Sequence, residues 1–166
     1  GMGPTRSRAA AGTLAGEPGR GLLVVGFCGA LIADSPPGEV VVAEEVFTAD
    51  DEGHPSERVR CDGVEELVAA LARDGICARC GPIVCVSRLA LGKRRTQLRE
   101  AGAIAVDMES VWLAPGAGER PFAVVRVVLD SPTHELLRPQ AAVGAARAAR
   151  ALRAVARSLH VWAQGD

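Results

Sequence analysis

The sequence predicts an α/β fold with three layers, in which helices cover both faces of a central, mainly parallel or mixed sheet. Apolar segments with strand composition alternate along the chain with segments of helical periodicity. Several of the strand segments are apolar throughout, which is typical of strands buried on both faces. Hydrophobic residues make up 48% of the 166 residues, so a packed core is expected, and we expect one domain over residues 1–166.

Five strands are predicted, each an apolar run bounded by turn-forming or charged residues. They span residues 21–31, 38–47, 82–87, 103–106 and 121–129. The first run, GLLVVGFCGAL, is expected to end in a glycine turn. The segments 48–59 and 113–121 contain Gly and Pro and are predicted to be loops.

Five helices are predicted, four of them within residues 5–16, 62–75, 93–102 and 107–114. Asp62 is expected to cap the second and Asp107 the fourth, while the highly charged third helix is expected to be exposed. The last helix is the clearest, since it has an apolar face opposite a row of arginines that we interpret as solvated. That apolar face comprises Leu152, Val155, Ala156, Leu159, Trp162 and Ala163.

Charge and cysteine content exclude several classes of function. The net charge of −1 gives no electrostatic basis for binding nucleic acid or an anionic membrane. We expect neither a membrane span nor a signal peptide. Five cysteines favour free thiols in the cytoplasm over a disulfide framework. Cys77 and Cys80 have the spacing of a zinc or redox site, so a small thiol or zinc protein is an alternative, although without a second close pair we expect no metal.

Two acidic residues follow predicted strands. Glu109 lies in the first turn of a helix after the strand 103–106, and Asp130 directly follows the strand 121–129. Ligands bind beyond the carboxyl ends of strands in open α/β sheets, so both carboxylates would face one pocket if these strands are neighbours. Each acid also has a structural explanation, as a helix-dipole partner or as a turn former. Arg126, within an apolar strand, is expected to pair with a buried carboxylate or to contact an anion.

The segments VDMES (106–110) and VVRVVLD (124–130) resemble the nucleoside phosphorylase and nucleosidase superfamily. The N-terminal GMGPTRSRAA, the stretch from residue 21 to 46 and GPIVCVS (81–87) are similar to segments that occur in the same order in that family. Within it, AVDMES most resembles the hopanoid-associated phosphorylase-like branch, whose substrate is thought to be an adenosyl hopanoid. The family's first strand has no counterpart, so an N-terminally truncated form of the phosphorylase/hydrolase-like fold is expected.

This resemblance implies cleavage of the N-glycosidic bond of a purine nucleoside or 5′-modified adenosine, by phosphate or by water. Glu109 would bind the ribose hydroxyls and stabilise a cationic sugar, with Met108 packed on the sugar. Asp130 would deliver or share a proton at the purine, and burial favours the protonated form of a carboxyl group. Further substrate-binding positions implied by the resemblance are Met2, Phe27, Cys28, Ser87 and Leu91.

Three positions depart from the family pattern. Phe27 occupies the position of a serine that often holds phosphate, Leu91 that of an aromatic residue that stacks on the purine, and Leu129 that of a serine before the catalytic aspartate. A non-catalytic nucleoside-binding protein of the same fold is therefore an alternative. The resemblance implies no cofactor other than inorganic phosphate as a possible co-substrate, and a homodimer or higher homo-oligomer.

Overall fold

The computed structural model describes residues 3–133 and 141–164. Its strands are β1 (Leu22–Ala30), β2 (Val40–Ala49), β3 (Pro55–Arg60), β4 (Ala78–Cys85), β5 (Ala105–Asp107) and β6 (Phe122–Asp130). Its helices are α1 (Pro4–Leu14), α2 (Val64–Arg73), α3 (Lys93–Glu100), α4 (Ser110–Leu113) and α5 (Ala141–Gln164), with a 3₁₀ turn at Ala114–Ala117. In this part of the chain, every helix is too short or too polar to cross a bilayer.

The strands form one mixed sheet that closes on itself. Hydrogen bonds join β6, β1, β5, β4 and β2 in that order, β2 pairs again with β6, and β3 extends the sheet beyond β2. The pairs β1–β6, β2–β4 and β4–β5 are parallel, and β1–β5, β2–β3 and β2–β6 are antiparallel. The prediction of a mainly parallel or mixed sheet is confirmed in its mixed form. The assumption of an open sheet is wrong. The carboxyl ends of the strands do not share one edge, because β1 and β6 run antiparallel to β2, β4 and β5.

Helices cover the sheet on two sides. Leu67 of α2 and Leu159 of α5 are buried against alternate residues of β2 and β6. Leu98 of α3 is buried in a separate cluster that contains Phe47 and Val84. The three-layer α/β/α prediction is therefore confirmed. A third cluster joins β1, β4 and β6 to α4, against which α1 packs.

The alternation of side chains between the two faces of β6 explains why its arginine is buried. Alternate residues of the strand contact different clusters, with Ala123, Val125 and Val127 on the side of α2 and α5. Phe122, Val124 and Val128 belong to the cluster with β1, β4 and α4. Arg126 takes the position between Val124 and Val128 on this second face, and it is 1% exposed.

Several predicted boundaries are wrong for identifiable reasons. Strand β3 (Pro55–Arg60) begins inside the predicted loop 48–59 and ends one residue beyond it. Its residues are almost all exposed, so no apolar alternation marks it. Strand β1 continues through Gly26 and Gly29, where a glycine turn was predicted. Strand β4 begins at Ala78 rather than at residue 82. The predicted loop 113–121 contains the 3₁₀ turn.

Helix ends and faces also differ in detail. Helix α2 begins after Gly63, and Asp62 does not cap it: its Oδ2 accepts the N–H of Phe122 at 2.9 Å. Ala156 is exposed, so the buried face of α5 is narrower than predicted. Helix α3 is not wholly exposed, because Arg95 and Leu98 are buried. Among the residues of α5 whose burial the structure describes, Ala148, Val155 and Leu159 are buried.

Leu159→Ala should lower the free energy of unfolding by about 2–5 kcal/mol, because it removes a side chain that is 1% exposed. Val143→Ala on the same helix is the matched control, since Val143 is 77% exposed and its truncation should change stability by less than about 0.5 kcal/mol. Urea denaturation measures both variants. Equal stability of the two would contradict the packing of α5 on the sheet.

Candidate active site

A cavity of about 440 Å³ lies beside the ends of β1, β5 and β6. This volume falls in the range of about 300–1,000 Å³ that is typical of small-molecule sites. Its charged lining residues are Asp107, Glu109, Asp130 and Arg95, and most of the remaining lining is apolar. The apolar lining includes Phe27, Cys28, Val86, Leu89, Ala90, Val106, Met108 and Leu129.

Glu109 and Asp130 reach the same cavity although β5 and β6 are not neighbours. Strand β1 lies between them, and Gly29 pairs with Val106 on one side and with Asp130 on the other. The condition under which the sequence analysis expected a shared pocket, adjacent strands, is therefore not met. The predicted convergence of the two carboxylates in one cavity is found nevertheless.

A β-bulge directs the side chain of Asp130. Cys28 pairs with Val128, but the next residue of β1, Gly29, pairs with Asp130, so Leu129 is an extra residue in β6. Such a bulge reverses the alternation of the strand and re-aims the side chain that follows it. Asp130 therefore shares the face of Gly29, on the side where α3 packs.

Asp107 and Arg126 form a buried ion pair behind the cavity. An Oδ2 of Asp107 lies 2.5 Å from Nη2 of Arg126, and both side chains are almost completely buried. Burial alone would lower the pKa of Arg126, but the carboxylates of Asp107 and Glu109 outweigh it and raise the pKa. Arg126 is therefore charged, as predicted for structural pairing with a buried acid. Its Nε has no hydrogen-bond partner among the described residues.

Helix α4 begins after Glu109, so the prediction that Asp107 is its N-cap residue is wrong. The start of the helix is nevertheless organised by the Asp107 carboxylate. It accepts hydrogen bonds from the backbone N–H groups of Glu109 and Ser110 at 3.3–3.4 Å and from the Ser110 hydroxyl. The thiol of Cys85 donates to its Oδ1 at 2.7 Å. Burial and the nearby Asp107 raise the pKa of Cys85, so this thiol stays protonated and can donate.

Glu109 is held at one oxygen and faces the cavity. Its Oε2 lies 3.4 Å from Nη1 of Arg126, and its side chain is 28% exposed. Nη2 of the same arginine donates to the Ser110 hydroxyl at 2.8 Å. An ionised, partly open carboxylate in this position can accept hydrogen bonds from ligand hydroxyl groups.

Asp130 pairs with a second buried arginine. Arg95 of α3 forms an ion pair with Oδ2 of Asp130, and both side chains are less than 10% exposed. The role of Asp130 as the group that delivers or shares a proton at the purine stays a prediction.

Two glycines in β1 leave space for the buried arginines. A Cβ on Gly26 would lie 2.4 Å from Nη1 of Arg126. A Cβ on Gly29 would lie 3.0 Å from Oδ1 of Asp130 and 3.2 Å from Nη2 of Arg95. These residues therefore allow close approach of a side chain, rather than forming the predicted turn.

The structure brings some of the predicted binding residues to the cavity and leaves others outside it. Phe27, Cys28 and Met108 line it. Burial raises the pKa of the Cys28 thiol, so it contributes a neutral surface. Ser87 and Leu91 are exposed and do not line the cavity. Met2 lies outside the described residues.

Arg95 was missed by sequence analysis. The segment KRRTQLRE contains a single large apolar residue, Leu98, and its composition indicates an exposed helix. Arg95 precedes Leu98 by three residues, a spacing that places both on one helix face. This spacing is the signal that could have marked it as buried.

The geometry gives no support to a thiol or zinc site. Cys77 and Cys80 are exposed and unpaired. Strand β4 begins between them, and three residues of extended chain span about 10 Å, too far for a disulfide. Over the described ranges, the one group of three potential metal ligands is the exposed set Asp50, Glu52 and His54.

The family model of the phosphorylase superfamily matches residues 1–157. A search of curated protein sequences gives no significant match. The structure superposes on 5′-methylthioadenosine/S-adenosylhomocysteine nucleosidase from Campylobacter jejuni with a TM-score of 0.78, at 19% identity over 95% of this chain and 76% of that one. It superposes on futalosine hydrolase of Helicobacter pylori with a TM-score of 0.75, at 18% identity over 96% and 74% of the two chains.

A third solved structure with the same fold is the 5′-methylthioadenosine/S-adenosylhomocysteine nucleosidase from Neisseria meningitidis, in complex with methylthio-immucillin-A. Its TM-score is 0.74, at 21% identity over 96% of this chain and 78% of that chain. At this level of identity, the superpositions show a shared fold. The expected absence of the family's first strand stays a prediction.

Gly26→Ala should lower the free energy of unfolding by about 1–3 kcal/mol, because the added methyl group displaces the Arg126 guanidinium from its buried partners. Gly12→Ala is the control, since a Cβ there meets nothing within 4 Å and Ala is favoured over Gly within α1. Urea denaturation measures both. A Gly26→Ala variant as stable as wild type would refute the close approach of Arg126 to β1.

Proposed function

Because the chain belongs to the phosphorylase superfamily, we propose that it cleaves the N-glycosidic bond of a purine nucleoside or 5′-modified adenosine. The observation that carries this proposal is that Glu109 and Asp130 line one cavity of suitable size, although 21 residues separate them in sequence. The two carboxylates differ in their surroundings. Glu109 is partly open, whereas Asp130 is buried beside Arg95.

Glu109 acts at the sugar. As the bond between C1′ and the base nitrogen breaks, its electron pair leaves with the base and positive charge develops on the ribose. The Glu109 carboxylate accepts hydrogen bonds from the ribose hydroxyls and stabilises that charge. Arg126 holds one carboxylate oxygen and so limits its orientation. Met108, which lines the cavity next to Glu109, packs against the sugar.

Asp130 acts at the base. The departing purine gains negative charge, which a proton delivered to a ring nitrogen neutralises. Asp130 takes up a proton, passes it to the base and becomes a carboxylate again. The oxygen of a water molecule or of a hydrogen phosphate ion bonds to C1′ and loses its proton, which balances the proton that Asp130 takes up and delivers to the base.

The apolar part of the cavity supports a substrate with an apolar group on the 5′ carbon. Phe27 and Leu89 line the cavity and are 38% and 62% exposed, and Leu129 also lines it. Such a surface gains free energy when an apolar substituent covers it. The adenosyl hopanoid implied by the sequence resemblance is a substrate of this kind.

A nucleoside-binding protein that does not cleave its ligand is the second candidate. The observation that favours it is that Phe27, at the position where the resemblance implies a phosphate-binding serine, lines the cavity with an apolar side chain. The two candidates share the same cavity and differ only in turnover.

Location and assembly are further parts of the proposal. Five unpaired cysteines support a cytoplasmic location, where thiols stay reduced. The exposed apolar side chains Phe27, Leu89 and Leu91 support a homodimer that covers them. Light scattering that gives the mass of one chain would contradict the dimer.

Incubation with adenosine, methylthioadenosine and S-adenosylhomocysteine, with and without phosphate, tests the activity by chromatography of the released base. Asp130→Asn should reduce turnover by roughly 10²–10⁴-fold, the usual contribution of a general acid, and leave ligand binding measurable. Glu109→Gln should reduce it by roughly tenfold to a hundredfold, because a hydrogen bond to a charged group is worth about 1.5–3 kcal/mol. Base release only with phosphate indicates phosphorolysis.

Thr13→Ala is the control variant, since Thr13 is exposed in α1 outside the cavity and its truncation should leave turnover unchanged. Circular dichroism confirms that each variant is folded. Binding of these nucleosides without any base release would identify the second candidate. Unchanged turnover of Asp130→Asn would refute the assigned role.

A further inference from the structure

Arg95 is a buried cation to which neither the sequence resemblance nor the proposed reaction assigns a part. Its side chain is 7% exposed, although Lys93 and Thr96 of the same helix are exposed. Among the described residues that line the cavity, it is the one cation. Arg126, the other buried arginine among the described residues, is already paired with Asp107.

The guanidinium of Arg95 joins three separate parts of the cavity wall. Its Nε–H donates to the carbonyl oxygen of Ala90 at 3.0 Å, in the segment between β4 and α3. Its Nη1 donates to the carbonyl oxygen of Ala30 at 3.4 Å, at the end of β1. Its Nη2 donates to Oδ2 of Asp130 at the end of β6. One planar group therefore fixes the carboxylate relative to two other elements of the site.

Stability alone is a weak reason to bury this pair. Taking two charges out of water costs several kcal/mol per ion, and well-packed apolar residues often replace a buried pair without loss of stability. Leu98 already anchors the same face of α3 in an apolar cluster. The pair is thus better explained by what it does to the orientation of Asp130.

We propose that Arg95 is a positioning residue that holds the Asp130 carboxylate in the orientation needed at the departing base. This inference rests on the proposed function. Arg95 binds Oδ2, and the bulge at Leu129 turns the side chain of Asp130 to the face where α3 lies. A carboxylate released from Arg95 would adopt several rotamers, and small misplacements of a reacting group cost about a hundredfold in rate.

The test compares Arg95→Met, Arg95→Lys, Asp130→Asn and the double variant Arg95→Met/Asp130→Asn, with kcat and KM measured separately. Arg95→Met should lower kcat by roughly tenfold to a hundredfold with KM little changed, because the ribose contacts at Glu109 remain. Arg95→Lys should recover part of kcat, since it restores the charge without the planar contacts. The double variant should be no slower than Asp130→Asn alone, since Arg95 acts through Asp130.

Arg94→Met is the matched control for loss of an arginine that tethers α3. Arg94 donates to the carbonyl oxygens of Asp50 and Asp51, away from the cavity, so its removal should leave kcat unchanged. Thermal unfolding of every variant separates lost stability from lost turnover. If Arg95→Met does not fold, Arg95→Lys decides: a lower kcat with unchanged KM supports the proposal, and an unchanged kcat overturns it.

Other outcomes are equally decisive. Independent losses in the double variant, or equal effects of Arg94→Met and Arg95→Met on kcat, overturn the role of Arg95 and leave the proposed cleavage reaction intact. If wild-type protein releases no base from any nucleoside, the proposed function fails and the role of Arg95 in it fails as well.

Discussion

The guanidinium of Arg126 carries a charge into the interior of the sheet, and the surrounding residues are arranged to accommodate it. Such burial costs several kcal/mol unless the charge is paired. Asp107 provides the ion pair at 2.5 Å, and the Ser110 hydroxyl accepts a hydrogen bond at 2.8 Å. Gly26 provides space, because a Cβ there would overlap the guanidinium. These contacts fix the positions of β1, β5, β6 and the start of α4 relative to one another. They also direct Glu109 toward the cavity.

Asp130, the second carboxylate, reaches the same cavity because of the β-bulge in β6. Regular alternation would place Asp130 on the same face as Arg126, inside the apolar cluster. The extra residue Leu129 reverses that alternation, and Asp130 turns toward α3 and Arg95. Gly29 sits between the two strands that carry the carboxylates and leaves room for the pair. A closed sheet can thus bring together acids from strands that are not adjacent.

Local patterns in the sequence account for much of the fold. Strand β6, which is apolar except for Arg126 and Asp130, was predictable because its apolar run is long and continuous. The amphipathic α5 was predictable because its helical periodicity is strong. The exposed strand β3 was not, because its residues contact little of the core and carry no apolar alternation. Glycine in β1 was interpreted as a turn signal, whereas at Gly26 it provides room for a long side chain from the neighbouring strand. No local pattern distinguishes these two uses of glycine.

The sequence by itself determined which residue types the site contains: two carboxylates that follow apolar strands, and an arginine within one of those strands. Only the tertiary structure decided how these groups are paired and aimed. Strand order, the bulge at Leu129 and the approach of Arg95 depend on contacts between residues far apart in the chain. Periodicity in the sequence indicates on which face of its own helix or strand a residue lies. The partner of a buried charge, in contrast, depends on which other helices and strands pack beside that face.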